Sequence, residues 1–99
     1  MPRVRVSVFS LLRRAAGTTA EDFEAADLRQ LLAAACRRFG PAFTVLVLEF
    51  PGSPPGEARL RGGCNVLVNG RNSHFLAGLD TPLQEGDEVI FIPPAAGGD

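Results

Sequence analysis

The chain has no lysine, and its ten basic residues are arginines spread from Arg3 to Arg71. With eleven acidic residues, the formal net charge is -1 at pH 7. Because affinity for nucleic acid depends on many clustered phosphate contacts, we expect no nucleic-acid partner. The sequence also has no apolar run of membrane-spanning length and no long apolar segment near its N-terminus. We therefore expect a cytoplasmic protein without a membrane partner.

Side chains that ordinarily carry catalysis or bind metals are also few. Cys36 and Cys64 do not have the spacing of a metal site, and 99 residues can form one domain without disulfides. The single histidine, His74, has no partner cluster, so we expect a surface residue rather than a base or a ligand. We expect both thiols to be reduced and structural, and a sulfur relay at Cys64 is the alternative.

Alternating residues near the N-terminus predict a strand that pairs with its neighbour. Valines at alternate positions fall on one face of residues 4–12, which we predict to form the first strand. Residues 13–17 are predicted to form a turn, and residues 18–25 a second strand. The short connection favours a hairpin between the two strands.

The most clearly patterned segment is a helix that begins after Asp27. Asp27 is a favourable N-cap, and Gln30 three residues later completes a capping-box pattern. Apolar residues recur at helical spacing along one stripe: Leu28, Leu31, Leu32, Ala35 and Phe39. Gly40 is expected to end the helix, and Pro41 to prevent its continuation.

The middle of the chain leaves two interpretations open. Residues 42–50 alternate in a way that suits a strand, although the segment could also begin as a short helical turn. The Pro-Gly-Ser-Pro-Pro-Gly sequence of residues 51–56 predicts a loop. Residues 58–61 are expected to add at most a short edge strand, which Gly62 and Gly63 interrupt.

The last third of the chain is organised by turn signals. The Asn-Gly pair after residues 64–68 predicts a tight hairpin turn, with a return over residues 71–75. A connector over residues 76–83 and a Glu-Gly-Asp turn then precede a final apolar strand at residues 88–92.

The order of these elements predicts an α+β fold. A final strand that is apolar on both faces belongs inside a sheet, because a bare apolar edge invites aggregation. Parallel pairing with the first strand would bury both strands. One main helix then covers one face of a mixed four- to five-stranded sheet, and the other face is left for solvent or a partner. This is the β-grasp arrangement of ubiquitin, which we assign to residues 1–92.

The remaining residues, 93–99, are predicted to form an extended tail. Pro93 and Pro94 favour an extended path away from the last strand. Gly97 and Gly98 lose more conformational freedom on ordering than other residues do, so they contribute little to a core. A frayed end is one interpretation. We favour the other, in which a flexible Gly-Gly tip without Cβ atoms enters a narrow site in another protein.

Four segments carry a resemblance to a known family. They are Val-Asn-Gly-Arg at residues 68–71, Phe-Leu-Ala-Gly-Leu-Asp-Thr-Pro-Leu at 75–83, Gly-Asp-Glu-Val at 86–89 and Phe-Ile-Pro-Pro-Ala-Ala-Gly-Gly at 91–98. Together they resemble the MoaD/ThiS family of ubiquitin-like sulfur carriers, and most closely its MoaD branch, the small subunit of molybdopterin synthase. Each segment is weak alone, but the combination is specific.

The resemblance implies a carrier without catalytic residues of its own. In the family, the C-terminal glycine carboxylate, here that of Gly98, is adenylated by a ubiquitin-activating-type enzyme that uses ATP. Sulfur then replaces AMP and gives a thiocarboxylate. In the MoaD branch the tail enters the large synthase subunit and donates sulfur to a pterin precursor. Pro93, Pro94 and Gly97 would thread the tail into these sites, and no bound cofactor or metal is expected.

Partner docking is expected on the sheet face that the helix leaves open. If the helix covers Phe91, then Ile90 and Ile92 face outward beside the tail. Arg13 and Arg71 are further candidates, because they could meet an acidic partner surface.

Asp99 departs from the family, whose members end at the second glycine. Its side chain adds bulk and charge where the tail must slide, so we expect that Gly98 is not activated while Asp99 is attached. Removal by a protease is the explanation we favour; a cloning remnant or a loss of carrier chemistry are the alternatives. Three other functions stay open: a sulfur carrier for thiamine, cysteine or tRNA thiolation, a ubiquitin-like modifier joined to lysines through Gly98, and a non-covalent interaction module.

Overall fold

The protein, described over residues 1–94 by a computed structural model, is a five-stranded mixed sheet with three helices packed against one face. The strands are β1 (Arg3–Val8), β2 (Ala20–Glu24), β3 (Asn65–Val68), β4 (Arg71–Asn72) and β5 (Glu88–Ile92). The helices are α1 (Leu11–Ala16), α2 (Leu28–Phe39) and α3 (Pro41–Val47). Short 3₁₀ turns occur at Pro55–Glu57, Ser73–Phe75 and Gly78–Asp80.

The final strand lies at the centre of the sheet, as its apolar sequence predicts. The strand order is β2-β1-β5-β3-β4. β5 runs parallel to β1, with Val8 beside Phe91, and every other pair is antiparallel. The predicted antiparallel pairing of β1 with β2 is confirmed, although α1 lies in the connection that was predicted to be short, and the β-grasp order is confirmed as well.

The core lies between the sheet and the helices and follows the alternation of the strands. Val89 and Phe91 of β5 are fully buried, together with the three valines of β1 and the apolar stripe of α2 as far as Ala35, and Phe39 at the end of that stripe is half-buried. Four phenylalanines contact one another across the layers, with ring centroids 5.6, 5.0 and 5.7 Å apart along the series Phe23, Phe39, Phe43 and Phe91. Such aromatic pairs stabilise a core beyond the area they bury.

The capped helix is confirmed. The carboxylate of Asp27 accepts a hydrogen bond from the backbone N–H of Gln30 at 2.8 Å. The Gln30 side chain accepts one in return from the N–H of Ala26 at 3.0 Å, one residue before the position that a capping box uses. α2 ends at Gly40, whose N–H donates to the carbonyl of Cys36 at 2.9 Å.

The end of the first strand was predicted wrongly. β1 stops at Val8, and residues 11–16 form the short helix α1 where we predicted continued strand and a turn. The backbone leaves the strand at Ser10, which has φ 53°, and this reversal carries Leu12 into the core with no exposed surface. α1 then ends at Gly17 in the left-handed conformation.

The predicted strand at residues 42–50 was also wrong, and the short helical turn left open there was closer. Pro41 sits in the first turn of α3, where its missing N–H costs nothing. Phe43 and Val47, four residues apart, are fully buried, whereas Val45 between them is 45% exposed. That spacing is helical, so contact with the core outweighs the strand preference of β-branched residues.

The tight turn at Asn69 and Gly70 is confirmed, with φ 51° and 84°. The returning strand β4 has only two residues, and the 3₁₀ turn that follows replaces the rest of the predicted return. Residues 58–61 add a single bridge, between Leu48 and Leu60, in place of an edge strand. None of the helices within residues 1–94 is long and apolar enough to cross a membrane.

Candidate functional site

The predicted tail begins at the end of β5, in a segment that we call the tail root: Ile92, Pro93 and Pro94. Ile92 pairs with Asn65 at the start of β3. Pro93 is buried and Pro94 half-buried, so the two prolines are held against the domain. Gly97, Gly98 and Asp99 lie outside the described residues. Their roles, and the domain boundary proposed after residue 92, stay predictions.

Arg13 lies at the same end of the sheet as the tail root. Its Nε donates to the carbonyl oxygen of Val8 at 3.0 Å, and Val8 is the neighbour of Phe91 in the parallel pair. The guanidinium carbon lies 5.1 Å from the ring centroid of Phe9, a cation–π distance. Phe9 is 38% exposed and was not among the predicted site residues, because one aromatic residue after a strand gives no sequence signal.

Arg71 lies elsewhere. It is exposed and pairs with Val68, which is level with Val89 near the beginning of β5. The structure therefore places Arg13, but not Arg71, near the tail root. A docking contact at Arg71 stays a prediction and would belong to a partner that covers the other end of the sheet.

Residues of β5 alternate between the two faces as predicted. Val89 and Phe91 point into the core, so Ile90 and Ile92 lie on the opposite face, where both are half-buried. Their partners in the register share that face, and we call the group the outer sheet face: Ser7, Asn65, Leu67, Ile90 and Ile92. None of these five residues belongs to the core that the helices bury. This placement is what partner docking requires, and the docking role itself stays a prediction.

Charged residues border the outer sheet face on the side of β1 and β2. The guanidiniums of Arg5 and Arg3 lie 3.5 and 3.9 Å from the carboxylate of Asp22. All three side chains are exposed, so these pairs add little to stability. They supply the polar rim that commonly surrounds an apolar docking surface.

The acidic turn before β5 is occupied by structural hydrogen bonds. The carboxylate of Asp87 accepts from the backbone N–H of Gln84 at 2.8 Å and from the side-chain amide of Asn69 at 3.0 Å. The Asn69 amide oxygen accepts from the N–H of Glu88 at 2.9 Å. These bonds hold the Asn-Gly turn against the start of β5. Asp87 therefore has a structural role in the turn, and no binding role is needed to explain it.

Neither thiol has the properties of a sulfur relay. Cys64 is buried, and its burial raises the pKa of the thiol to about 11. Burial also raises the pKa of Cys36, although a hydrogen bond with Thr44 and the charge of Arg37 oppose this. Because the thiolate is the nucleophile, both groups are unreactive near neutral pH. The structural interpretation of the two cysteines is therefore the better one.

His74 is exposed, and its backbone N–H donates to the side chain of Asn72 at 2.9 Å. Within residues 1–94, no three His, Cys, Asp or Glu side chains are grouped so that they could hold a metal ion. One neighbour of His74 is unusual: the hydroxyl of Ser73 is buried and has no hydrogen-bond partner among the described residues.

A comparison of sequences decides the family. The sequence profile of the ThiS family matches residues 6–98. The chain belongs to the ThiS family. The match begins within β1, covers the rest of the β-grasp domain and continues through the tail to Gly98, the residue before Asp99.

Similar structures agree with this assignment over nearly the full length. The small archaeal modifier protein 1 of Methanosarcina acetivorans is 34% identical, with a TM-score of 0.86 over 99% of this chain and 98% of that one. A putative molybdopterin converting factor subunit 1 of Pyrococcus furiosus is 26% identical, with a TM-score of 0.69 over 96% of this chain and 100% of that one.

A relative found by sequence alone is a putative sulfur carrier protein of Archaeoglobus fulgidus, 47% identical over 34 residues. That alignment covers 34% of this chain and 39% of the relative, so it spans well under half of either protein. Together, the family and the full-length neighbours place this ThiS-family protein among small ubiquitin-like carriers and modifiers, which are not themselves enzymes.

Proposed function

We propose that this ThiS-family protein is a sulfur carrier that bears sulfur as a thiocarboxylate on Gly98. The observation that supports this most is the extent of the family match, which ends at Gly98 and takes in the tail root. The tail root follows β5, which is paired on both sides by β1 and β3. A central strand resists displacement, so it gives the tail a firm base while a partner holds the tip.

The proposed chemistry needs only a carboxylate from this chain. An oxygen of the Gly98 carboxylate attacks the α-phosphorus of ATP on an activating enzyme of the ubiquitin-activating type, and pyrophosphate leaves. Hydrosulfide supplied by a partner then attacks the carbonyl carbon of the resulting mixed anhydride, AMP leaves, and the product is the thiocarboxylate of Gly98. The unreactive thiol of Cys64 agrees with sulfur that comes from outside the chain.

Asp99 has to be removed before these reactions can begin. While it is attached, the carbonyl of Gly98 belongs to a peptide bond and has no free carboxylate to adenylate. We propose that a protease cleaves after Gly98, and that the prolines of the tail root protect the preceding segment. A tertiary amide on a rigid ring fits poorly into the extended substrate cleft of most proteases.

For the acceptor of the sulfur we propose a pterin precursor, with this chain as the small subunit of a molybdopterin synthase. The support is the likeness to the Pyrococcus furiosus converting factor subunit. The outer sheet face would dock on the large subunit while the tail enters its site. Deletion of the gene should then abolish molybdenum- or tungsten-enzyme activity in the host, and restoration by the wild type but not by a variant lacking Gly98 would support the assignment. If molybdenum- or tungsten-enzyme activity survives the deletion, the molybdopterin assignment is wrong, and the carrier would serve thiamine, cysteine or tRNA thiolation instead.

The test of the carrier chemistry is the intact mass of the protein purified from its own host. We expect a species that lacks Asp99 and carries a further gain of about 16 Da, the exchange of one oxygen for sulfur at the Gly98 carboxylate. If the mass always includes Asp99, even after incubation with the host's activating enzyme and ATP, the carrier proposal is wrong.

The Methanosarcina acetivorans neighbour favours a second function, because it is named as a protein modifier. Transfer of Gly98 to lysine amines would then give conjugates of higher mass in cell extracts, and deletion of Gly98 would remove them. Since this sequence has no lysine, a conjugated copy offers no side-chain amine for the next copy. We expect single additions at each acceptor lysine and no chains linked through internal lysines, which tryptic mass spectrometry of the conjugates would show.

A further inference from the structure

The tail root rests on a glycine from a distant part of the chain. Residues 61–64 form a tight turn, in which the N–H of Cys64 donates to the carbonyl of Arg61 at 2.9 Å. Gly63 occupies the position of this turn that needs a positive φ, which is 86° here. A Cβ built on Gly63 would lie 3.3 Å from Cβ of Pro94 and 3.5 Å from its Cα. Among the glycines of the described residues, Gly63 alone has a neighbour this close to its Cβ position.

The turn is itself held firmly against the helical layer. The N–H of Arg61 donates to the carbonyl of Val47 at 2.8 Å, and its guanidinium donates to the carbonyl of Val45 at 2.8 Å. Cys64, on the other side of Gly63, is buried and leads directly into β3. The surface beneath Pro94 is therefore tied to the C-terminal end of α3 and to the sheet.

From this geometry we infer that Gly63 is a positioning residue for the chemistry at the C-terminus. By letting Pro94 lie directly on the backbone of the turn, it sets the direction in which the tail leaves the domain. The inference rests on the proposed function, since it is the activation of Gly98 that a misdirected tail would impair.

A small displacement at Pro94 becomes larger at the tip. The four residues from 95 to 98 span at most about 14 Å when extended. When a partner site holds the tail extended, a rotation of about 10° at the tail root moves Gly98 by roughly 2 Å, and misplacement of a reacting group by about 1 Å can cost on the order of 100-fold in rate. A methyl group on Gly63 would lie 3.3 Å from Cβ of Pro94, so Pro94 has to shift, and we expect this shift to redirect the tail root.

The test compares Gly63→Ala with two matched variants. Gly52→Ala introduces the same backbone strain, because Gly52 has φ 94°, but nothing lies within 4 Å of its Cβ position. Gly62→Ala adds a methyl group to the same turn, again with nothing within 4 Å and without a positive φ. Gly63→Ala and Gly52→Ala should therefore lose similar amounts of thermal stability, and Gly62→Ala little.

The functional measurement is ATP–pyrophosphate exchange by the host's activating enzyme, with each variant truncated after Gly98. We expect Gly63→Ala to lower kcat/KM at least tenfold, while Gly52→Ala and Gly62→Ala stay within about twofold of the wild type. Calorimetry should give the same Kd of Gly63→Ala and wild type for the enzyme without ATP, because docking uses the outer sheet face. Equal exchange rates for Gly63→Ala and Gly52→Ala would overturn the inference.

A second measurement distinguishes failure of the positioning role of Gly63 from failure of the proposed activation of Gly98. In nuclear Overhauser spectra of the wild type, the α protons of Gly63 should give strong cross-peaks to the β protons of Pro94, which report the contact without any enzyme. If these cross-peaks are absent, the positioning inference is wrong, whatever the exchange assay shows. If they are present but the truncated wild type supports no exchange, the proposed activation of Gly98 is wrong, and the positioning role fails with it.

Discussion

Nε of Arg13 donates to the carbonyl oxygen of Val8 at 3.0 Å and so closes the end of β1 beside the tail root. This bond joins a residue of α1 to the strand that runs parallel to β5. It also holds the guanidinium over the ring of Phe9, where it stays exposed at the end of the sheet that carries the tail root. A positive charge there is well placed to meet an acidic surface around the site that receives the tail.

Replacement of Arg13 should weaken partner binding while the protein stays folded. Arg13→Ala removes one hydrogen bond and one exposed cation–π contact, a loss of about 1–2 kcal/mol in the free energy of unfolding. Kd for the activating enzyme should rise several-fold, and more at low salt than at high salt. The control is Arg14→Ala, the next residue of α1, for which no hydrogen bond or ion pair is seen within the described residues. Equal affinities for the two variants would remove Arg13 from the docking surface.

Adjacent residues of β5 should respond in opposite ways to substitution. Ile92→Glu places a charge on the outer sheet face, so we expect a change of less than about 1 kcal/mol in the free energy of unfolding and at least a tenfold loss of partner affinity. Phe91→Ala removes a buried ring from the core and should lower the free energy of unfolding by about 3–5 kcal/mol. Chemical denaturation and titration calorimetry check both. A melting temperature that falls as far for Ile92→Glu as for Phe91→Ala would place Ile92 in the core.

The stability of this protein should fall as the pH rises from about 9 to about 11. Burial in the folded chain raises the pKa of the Cys64 thiol from its ordinary value of 9.0 to about 11. Between these pH values the thiol of the unfolded chain is deprotonated, whereas that of the folded chain keeps its proton. Rising pH therefore stabilises the unfolded state relative to the folded state and lowers the free energy of unfolding. The loss in the free energy of unfolding reaches about 2–3 kcal/mol.

The sequence makes this alkaline transition simple to assign. With no lysine or tyrosine, the remaining side chain that titrates in this range is Cys36, whose pKa is also raised. Denaturation at several pH values should show a shallower decline for Cys64→Ala than for the wild type, and none for the variant that also carries Cys36→Ala. A decline that is unchanged in the double variant would mean that the thiols do not cause it.

The buried hydroxyl of Ser73 should be dispensable. Because it has no hydrogen-bond partner among the described residues, Ser73→Ala relieves an unsatisfied polar group and should raise the free energy of unfolding by about 1 kcal/mol. Thr81 is the matched contrast. Its buried hydroxyl donates to the carbonyl of Gly78 at 2.7 Å and accepts from the N–H of Ala77 at 3.1 Å. Thr81→Val should therefore cost about 1–3 kcal/mol. Thermal melts that fall for both variants would show that Ser73 has a partner, such as a buried water.

Elements whose signals are local were predictable from the sequence. The cap of α2 needs only Asp27 and Gln30, and the hairpin turn needs only Asn69 and Gly70. The segments at α1 and α3 were misassigned because short apolar runs fit a strand and a helix equally well. Their conformation is decided by burial of Leu12 and Phe43 against residues far away in the sequence, and periodicity does not report such contacts.

The sequence by itself determined the family, because the Pro-Pro and Gly-Gly pairs and the turn before β5 are contiguous motifs, and the chemistry of the tail stays a prediction. It also predicted the alternation of β5, but both faces of that strand are apolar, so it left open which of the two is buried. Only the tertiary structure decided that Arg13 lies beside the tail root and Arg71 does not, and that Pro94 rests on Gly63. Each of these relationships joins residues that are distant along the chain, and they become neighbours only through the parallel pairing of β1 with β5 and the antiparallel pairing of β5 with β3.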